Sequence, residues 1–293
     1  MHGLNLYGLG VALITPFNED LSIDFKALGN IIEYTVNNGA DYLVVLGTTA
    51  ETPTLSRQEK SEVINFVRQK VNGRIPLVLG LGGNNTLKVV NDIKSYDLEG
   101  YSAILSVTPY YNKPNQEGLF QHFMAIAEAS PVPVILYNVP TRTGANLTPK
   151  TVVKLATSSN KFYGIKEASG DLDQCMEILN KTPDDFKLIS GNDADTASIM
   201  QMGGIGVISV MANVLPAEMK KLVEICANSQ FDEAKLCQEK YSVIIKHLFE
   251  DGNPSGVKAL LAKKGMSKNL LRLPLVPVSK YVEEKLSRAL QLI

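Results

Sequence analysis

At 293 residues and a formal net charge of −1, the chain has no Lys/Arg-rich block, so nothing marks it for nucleic acid or an acidic membrane surface, and a small-molecule partner is expected. The opening MHGLNLYGLG lacks the basic start and apolar core of a signal peptide, and no apolar run approaches the roughly 18 residues of a membrane span, so a cytoplasmic protein is expected. Cys175, Cys226 and Cys237 are odd in number with no CxxC spacing, and His2, His122 and His247 each stand apart, which argues against disulfides, a zinc site or a Ser-His pair. No metal or cofactor is expected, and the chemistry falls to lysine, tyrosine, threonine or carboxylates.

In chain order, eight short apolar runs bounded by turn formers predict strands: GVALI (10–14), YLVVL (42–46), PLVLG (76–80), AILSV (103–107), PVILY (133–137), FYGIK (162–166), KLISG (187–191) and GVISV (206–210). Most are continuous, the pattern of parallel strands buried on both faces. Helix starts lie between them. Ser56 and Glu59 form a capping-box pattern ahead of Val63, Ile64, Val67 and Val71, and Pro149 and Pro216 suit first helical turns. GLGGNN (80–85) has Asn85 where a dinucleotide fingerprint needs glycine and is read as a βα turn. GGIG (203–206) precedes a strand and is read as an αβ turn, not a phosphate anchor.

Strands recurring about every 30 residues favour an α/β fold closed as a (β/α)8 TIM barrel over an open sheet. The barrel is assigned to residues 1–225, and a helical C-terminal extension to 226–293, with Phe231, Leu236, Tyr241, Ile244, Ile245 and Leu248 among its apolar positions.

In such a barrel the reacting groups stand at the carboxyl ends of the strands. Those ends carry Thr15, Thr48, Thr49, Glu51, Asn84, Tyr110, Tyr111, Tyr137, Asn138, Lys166, Glu167, Gly191, Asn192 and Ser209. Lys166 closes an apolar strand, where burial favours the neutral amine, the form that attacks a carbonyl. The alternative is a structural pair with Glu167, which the two-residue period of a strand turns to the opposite side. A Schiff-base route needs proton transfers, for which Tyr137, one strand earlier, is placed, with Thr49 and Tyr111 as further hydroxyls. GTTAE (47–51) can expose backbone N–H groups to a carboxylate through Thr48 and Thr49. Arg142 is open between a clamp for a second carboxylate and a surface loop residue.

GTTAE (47–51), SVTPYYNKPNQEGLFQHF (106–123), YNVPTRTG (137–144), GIKEASGD (164–171), SGND (190–193), GGIGVISV (203–210), NPSGVK (253–258) and LRLPLVP (271–277) occur in this order along the chain. They resemble the dihydrodipicolinate synthase/N-acetylneuraminate lyase family of class I aldolases over nearly the whole length. The Thr48-Thr49 pair and Arg142 favour the branch that condenses pyruvate with L-aspartate 4-semialdehyde, on the lysine and diaminopimelate route, over the sialic-acid lyases. The resemblance implies a Schiff-base-forming lyase, with Lys166 as the Schiff-base lysine. Tyr137 would be the main proton donor and acceptor, Thr49 the bridging hydroxyl, and Tyr111 a contribution from a neighbouring subunit. Thr48 and Thr49 would hold the pyruvate carboxylate and Arg142 the semialdehyde carboxylate, while Gly191 and Ile208 line the pocket. It also implies a homo-oligomer, expected as a dimer of dimers.

Two departures bear on geometry: Ala50 stands where the family has glycine in GxxGE, and Gly256 where many members have proline. If position 50 required φ > 0, alanine would cost on the order of 1 kcal/mol. A third concerns regulation. Members inhibited by lysine bind it at the dimer interface; Asn84 matches their asparagine, but Lys88 stands at their glutamate and Arg57 and Lys60 where histidine is frequent. These cations would repel a lysine ammonium, so weak or absent inhibition is expected. The remaining readings are another pyruvate-linked aldolase such as a 2-keto-3-deoxy sugar-acid aldolase or N-acetylneuraminate lyase, a phosphoryl-ligand barrel anchored at GGIG, and a non-catalytic paralogue.

Overall fold

All eight apolar runs are strands: β1 Gly8–Ala12, β2 Tyr42–Val45, β3 Leu77–Gly80, β4 Ala103–Val107, β5 Val134–Asn138, β6 Phe162–Glu167, β7 Lys187–Ser190 and β8 Gly206–Ser209. The computed structural model describes residues 4–293, so His2 lies outside the described residues. Each strand pairs in parallel with the next, and β8 returns to β1 to close the barrel. The first strand begins two residues earlier than the apolar run predicts. Gly8, at φ +99°, donates to Ile205 O, while at the other end Ile14 N–H leaves the ladder for the side chain of Asn213.

The continuous runs are explained by two cores on either side of one sheet. Leu43, Val45, Leu77, Leu79, Ile104, Leu136, Ile165 and Leu188 face the surrounding helices. Their alternates, among them Tyr42, Val44, Val78, Leu105, Ile135, Tyr137, Ile189 and Ile208, fill the barrel.

Local signals set the helices as expected. Ser56 Oγ accepts from Glu59 N–H and Glu59 Oε2 from Ser56 N–H, at 3.2 and 2.7 Å, so both halves of the capping box form ahead of the Arg57–Val71 helix. Pro149 and Pro216 open the Pro149–Ser158 and Pro216–Ala227 helices. Asn85 ends the GLGGNN turn by capping Thr86–Ser95, and GGIG turns from the Thr196–Gln201 helix into β8.

Beyond the Pro216–Ala227 helix the chain forms the helices Phe231–Glu250, Ser255–Lys263 and Lys280–Leu290. The long helix packs on Pro216–Ala227 and Thr196–Gln201, and the last two pack on it and on each other. Tyr241, Ile244, Ile245 and Leu248 are buried in this packing, whereas Leu236 faces outward. The three cysteines are buried and free. Among the described residues no helix is long and apolar enough to cross a membrane.

Candidate active site at the carboxyl ends of the strands

The GTTAE segment leaves β2 through a tightly wound turn. Thr48–Ala50 is a single 3-10 turn closed by Ala50 N–H to Gly47 O at 3.2 Å, and non-glycine residues with positive φ flank it, Leu46 at +56° and Glu51 at +53°. Ala50 lies inside the turn, not in the left-handed region, so its Cβ carries no penalty and the concern raised by the missing glycine falls away. The N–H groups of Thr48 and Thr49 precede the first turn-closing bond and are free of intrahelical partners. The two side chains diverge. Thr48 is exposed, whereas Thr49 is buried and its Oγ1 accepts a hydrogen bond from Asn253 Nδ2 at 3.1 Å.

Across the barrel mouth, Lys166 and Tyr137 are register partners on β6 and β5. Both are only 6% exposed, and Lys166 Nζ stands 4.4 Å from the centroid of the tyrosine ring. Among the described residues Lys166 has no carboxylate partner; the fully buried ion pair belongs to Lys258 and Glu51. Gly191, just past β7, leaves room for the lysine stem, since a Cβ there would lie 3.1 Å from Lys166 Cε. Ile208 is buried in the same interior cluster as Tyr137.

Glu167 points the other way, as the strand period requires. Its carboxylate accepts from Asn138 Nδ2 at 3.0 and 3.1 Å, Gln174 Nε2 at 2.9 Å and Ser169 N–H at 2.8 Å, in the layer between sheet and helices. Burial raises its pKa against these bonds. The structural pairing of Lys166 with Glu167 is therefore excluded by geometry. Asp193 is a second buried carboxylate near the lysine: Oδ2 accepts from Val210 and Met211 N–H, while Oδ1 has no protein partner. Burial raises its pKa, opposed chiefly by the hydrogen bonds it accepts and less by the Lys166 charge.

Tyr111 and Arg142 project from the loops after β4 and β5. Tyr111 is 86% exposed and held at φ +71°, an uncommon conformation for a bulky residue. Its neighbour's carbonyl, Tyr110 O, accepts from Asn84 Nδ2 at 3.2 Å. Arg142 is exposed on the short Pro140–Thr143 helix, which ends at the left-handed Gly144. Lys166, Tyr137, Gly191 and Ile208 thus meet in the barrel, the threonine turn lies at the opposite rim, and Tyr111 and Arg142 reach outward.

Residues 5–293 match the model of the dihydrodipicolinate synthetase family. The chain belongs to this family. It is 48% identical to the 4-hydroxy-tetrahydrodipicolinate synthase of Parabacteroides distasonis, over 99% of this chain and 98% of the relative. It is 50% identical to the enzyme of the same name from Flavobacterium psychrophilum, over 95% of each chain. The structure superposes on dihydrodipicolinate synthase from Thermotoga maritima with a TM-score of 0.95 at 38% identity, covering 98% of this chain and 99% of that one.

In this member of the family, sequence reasoning missed what the C-terminal extension does at the mouth. Asn253, Lys258 and Arg272 all reach the GTTAE turn. The available signal was a lysine inside the otherwise apolar SGVKALLAK helix, since a lysine is almost never fully buried without a partner. Gly256 also acquires a reason: a Cβ there would sit 2.2 Å from Leu248 O, so the Ser255–Lys263 helix rests directly on the carbonyl end of the preceding one.

Below the turn, a cavity of about 60 Å³ is lined by Thr52, Lys60, Gly82, Lys88, Asp92 and Tyr96 among others. Lys88 Nζ pairs with Asp92 at 2.5 Å. Burial, followed by the charge of Lys88, lowers the pKa of Lys60.

Proposed function

We propose that this chain condenses pyruvate with L-aspartate 4-semialdehyde to 4-hydroxy-tetrahydrodipicolinate, the reaction that names its relatives, through a Schiff base on Lys166 in lysine and diaminopimelate biosynthesis. The observation that carries the reading is a buried lysine that, among the described residues, no carboxylate engages in an ion pair, set against a tyrosine on the adjacent strand at the reactive end of a barrel. Its amine is not engaged in an ion pair and faces the open end of the barrel, where it can attack a carbonyl as a nucleophile.

The Lys166 amine adds to the pyruvate ketone, and the carbinolamine loses water to give an iminium. Loss of a methyl proton yields the enamine, whose carbon attacks the aldehyde. The substrate amine then closes the ring and displaces Lys166. Tyr137 is assigned the proton transfers at the reacting carbon. The free N–H groups of Thr48 and Thr49 suit the pyruvate carboxylate. Because Thr49 gives its oxygen to Asn253, the exposed Thr48 hydroxyl is the better candidate for the relay, in place of the Thr49 expected from sequence.

The exposure and held backbone of Tyr111 fit a side chain delivered to a second copy, and a homo-oligomer, as a dimer of dimers, completes the reading. Arg142, exposed beyond β5, suits the semialdehyde carboxylate, with Gly191 and Ile208 lining the pocket. The barrel of residues 1–225 would be the catalytic unit and 226–293 its extension, in a cytoplasmic enzyme. Lys60 and Lys88 beside the Thr52 cavity argue for weak or absent inhibition by lysine.

The test is borohydride reduction in the presence of pyruvate, followed by peptide mass spectrometry. A pyruvyl adduct on Lys166, with turnover of aspartate semialdehyde, is expected. No adduct on the folded chain in excess pyruvate refutes the mechanism, and an adduct without condensation of the semialdehyde points to another pyruvate-linked aldolase.

A further inference from the structure

The threonine turn adopts a conformation that its own bonds do little to hold. Two non-glycine residues with positive φ flank it, Leu46 and Glu51, and its backbone closure consists of two 3-10 bonds of 3.2 Å, Ala50 N–H to Gly47 O and Glu51 N–H to Thr48 O. Such geometry persists only where the surroundings over-determine it. Nearby side chains contribute Thr52 Oγ1 to Gly47 O and Thr15 Oγ1 to Ala50 O, each at 2.8 Å, and the N–H and Oγ1 of Thr54 both donate to Glu51 O at 2.9 Å. The remaining ties come from the far end of the chain. Asn253 Nδ2 donates to Thr49 Oγ1 at 3.1 Å, Lys258 Nζ donates to Glu51 Oε1, and Arg272 N–H donates to Glu51 Oε2 at 3.0 Å.

We propose that Asn253 and Lys258 are positioning residues for the site: through Thr49 and Glu51 they set the turn so that its N–H groups meet the substrate carboxylate. Two features separate this from simple docking of the extension on the barrel. The Lys258–Glu51 pair has no solvent exposure on either side chain, and a buried ion pair is weak as a device for stability alone, since apolar residues of similar volume do as well or better. Asn253 directs its bond to the hydroxyl next to the exposed Thr48, between the two flanking left-handed residues, and not to the outer helices.

This inference rests on the carboxylate-binding role proposed for the turn. Its test compares the full-length chain with Thr49→Val, Asn253→Leu and the double variant, reading pyruvate KM, kcat and pyruvate-dependent trapping on Lys166. Each single change should raise pyruvate KM about tenfold or more, with kcat at saturation within about threefold, as expected for lost binding geometry. The double variant should be no worse than either single, because both remove the same bond. A pyruvate KM unchanged in both singles, or effects that multiply in the double, overturns the proposal. So does a loss of kcat at constant KM in Thr49→Val, which would put that hydroxyl in the proton relay. If Asn253→Leu does not fold, the near-isosteric Thr49→Val decides the question alone. Failure of the unaltered chain to trap pyruvate would instead overturn the parent reading of the site.

Discussion

Lys166 Nζ stands 4.4 Å from the centroid of the Tyr137 ring, and the two residues are register neighbours on adjacent strands. The ring face packs against the amine, while the hydroxyl is the part assigned to proton transfer. Tyr137→Phe separates the two. It should keep the aromatic face and the fold, and lower kcat by about 10² to 10⁴. Steady-state kinetics at saturating pyruvate checks this, and a kcat within threefold of the parent would remove Tyr137 from the relay.

Gly191 is a test of space. A Cβ at this position would lie 2.6 Å from the Ala168 Cβ, 2.9 Å from Glu167 O and 3.1 Å from Lys166 Cε. Gly191→Ala must move either strand backbone or the lysine stem, and a displacement of an ångström at the nucleophile costs on the order of 10²-fold in rate. We expect a folded protein by circular dichroism with slow pyruvate trapping on Lys166. Trapping at the parent rate would mean that the lysine does not use this space.

Gly256 supports the extension in the same way. Its substitution by alanine would place a Cβ 2.2 Å from Leu248 O, a contact with backbone that no rotamer relieves. Gly256→Ala should lower unfolding stability by about 1–3 kcal/mol, the usual range for overpacking. Proline at this position should be no better accommodated. A urea midpoint equal to that of the parent would refute the account.

His122 links stability to pH. It is buried on the Gln116–Ala129 helix, with Nδ1 2.8 Å from Thr86 Oγ1 and Nε2 without a partner, and burial lowers its pKa from 6.5 to about 4. Between those values the unfolded chain binds a proton that the folded chain does not, so stability falls as pH falls from about 6.5 to about 4. The full difference is on the order of 3 kcal/mol. His122→Phe should lose this part of the slope, seen as a smaller change in urea midpoint between pH 7 and pH 4. An unchanged slope would assign the acid sensitivity elsewhere.

Free lysine should have no sub-millimolar effect on turnover. The Thr52 cavity presents Lys60 and Lys88, with Asp92 already engaged by Lys88, so an added ammonium meets net positive charge. Lys88→Glu reverses that sign and should introduce measurable inhibition. A sub-millimolar inhibition constant in the unaltered chain would overturn this reading.

The sequence by itself determined the barrel and the direction of its key side chains. Strands buried on both faces must be apolar throughout, so β1 to β8 appeared as unbroken runs between turn formers. The strand period separated Lys166 from Glu167, and the capping box marked Ser56 as a helix start. Only the tertiary structure decided which threonine of the pair is buried. Helix and strand periods do not govern a short 3-10 turn, and its flanking left-handed residues, Leu46 and Glu51, carry no glycine to announce them. Nor could sequence reveal that Asn253 and Lys258 close on Thr49 and Glu51 more than 200 residues away, or that Gly256 lies against Leu248 O. Local preferences act over a few residues, whereas these contacts exist only once the barrel has closed and the extension has packed back over its mouth.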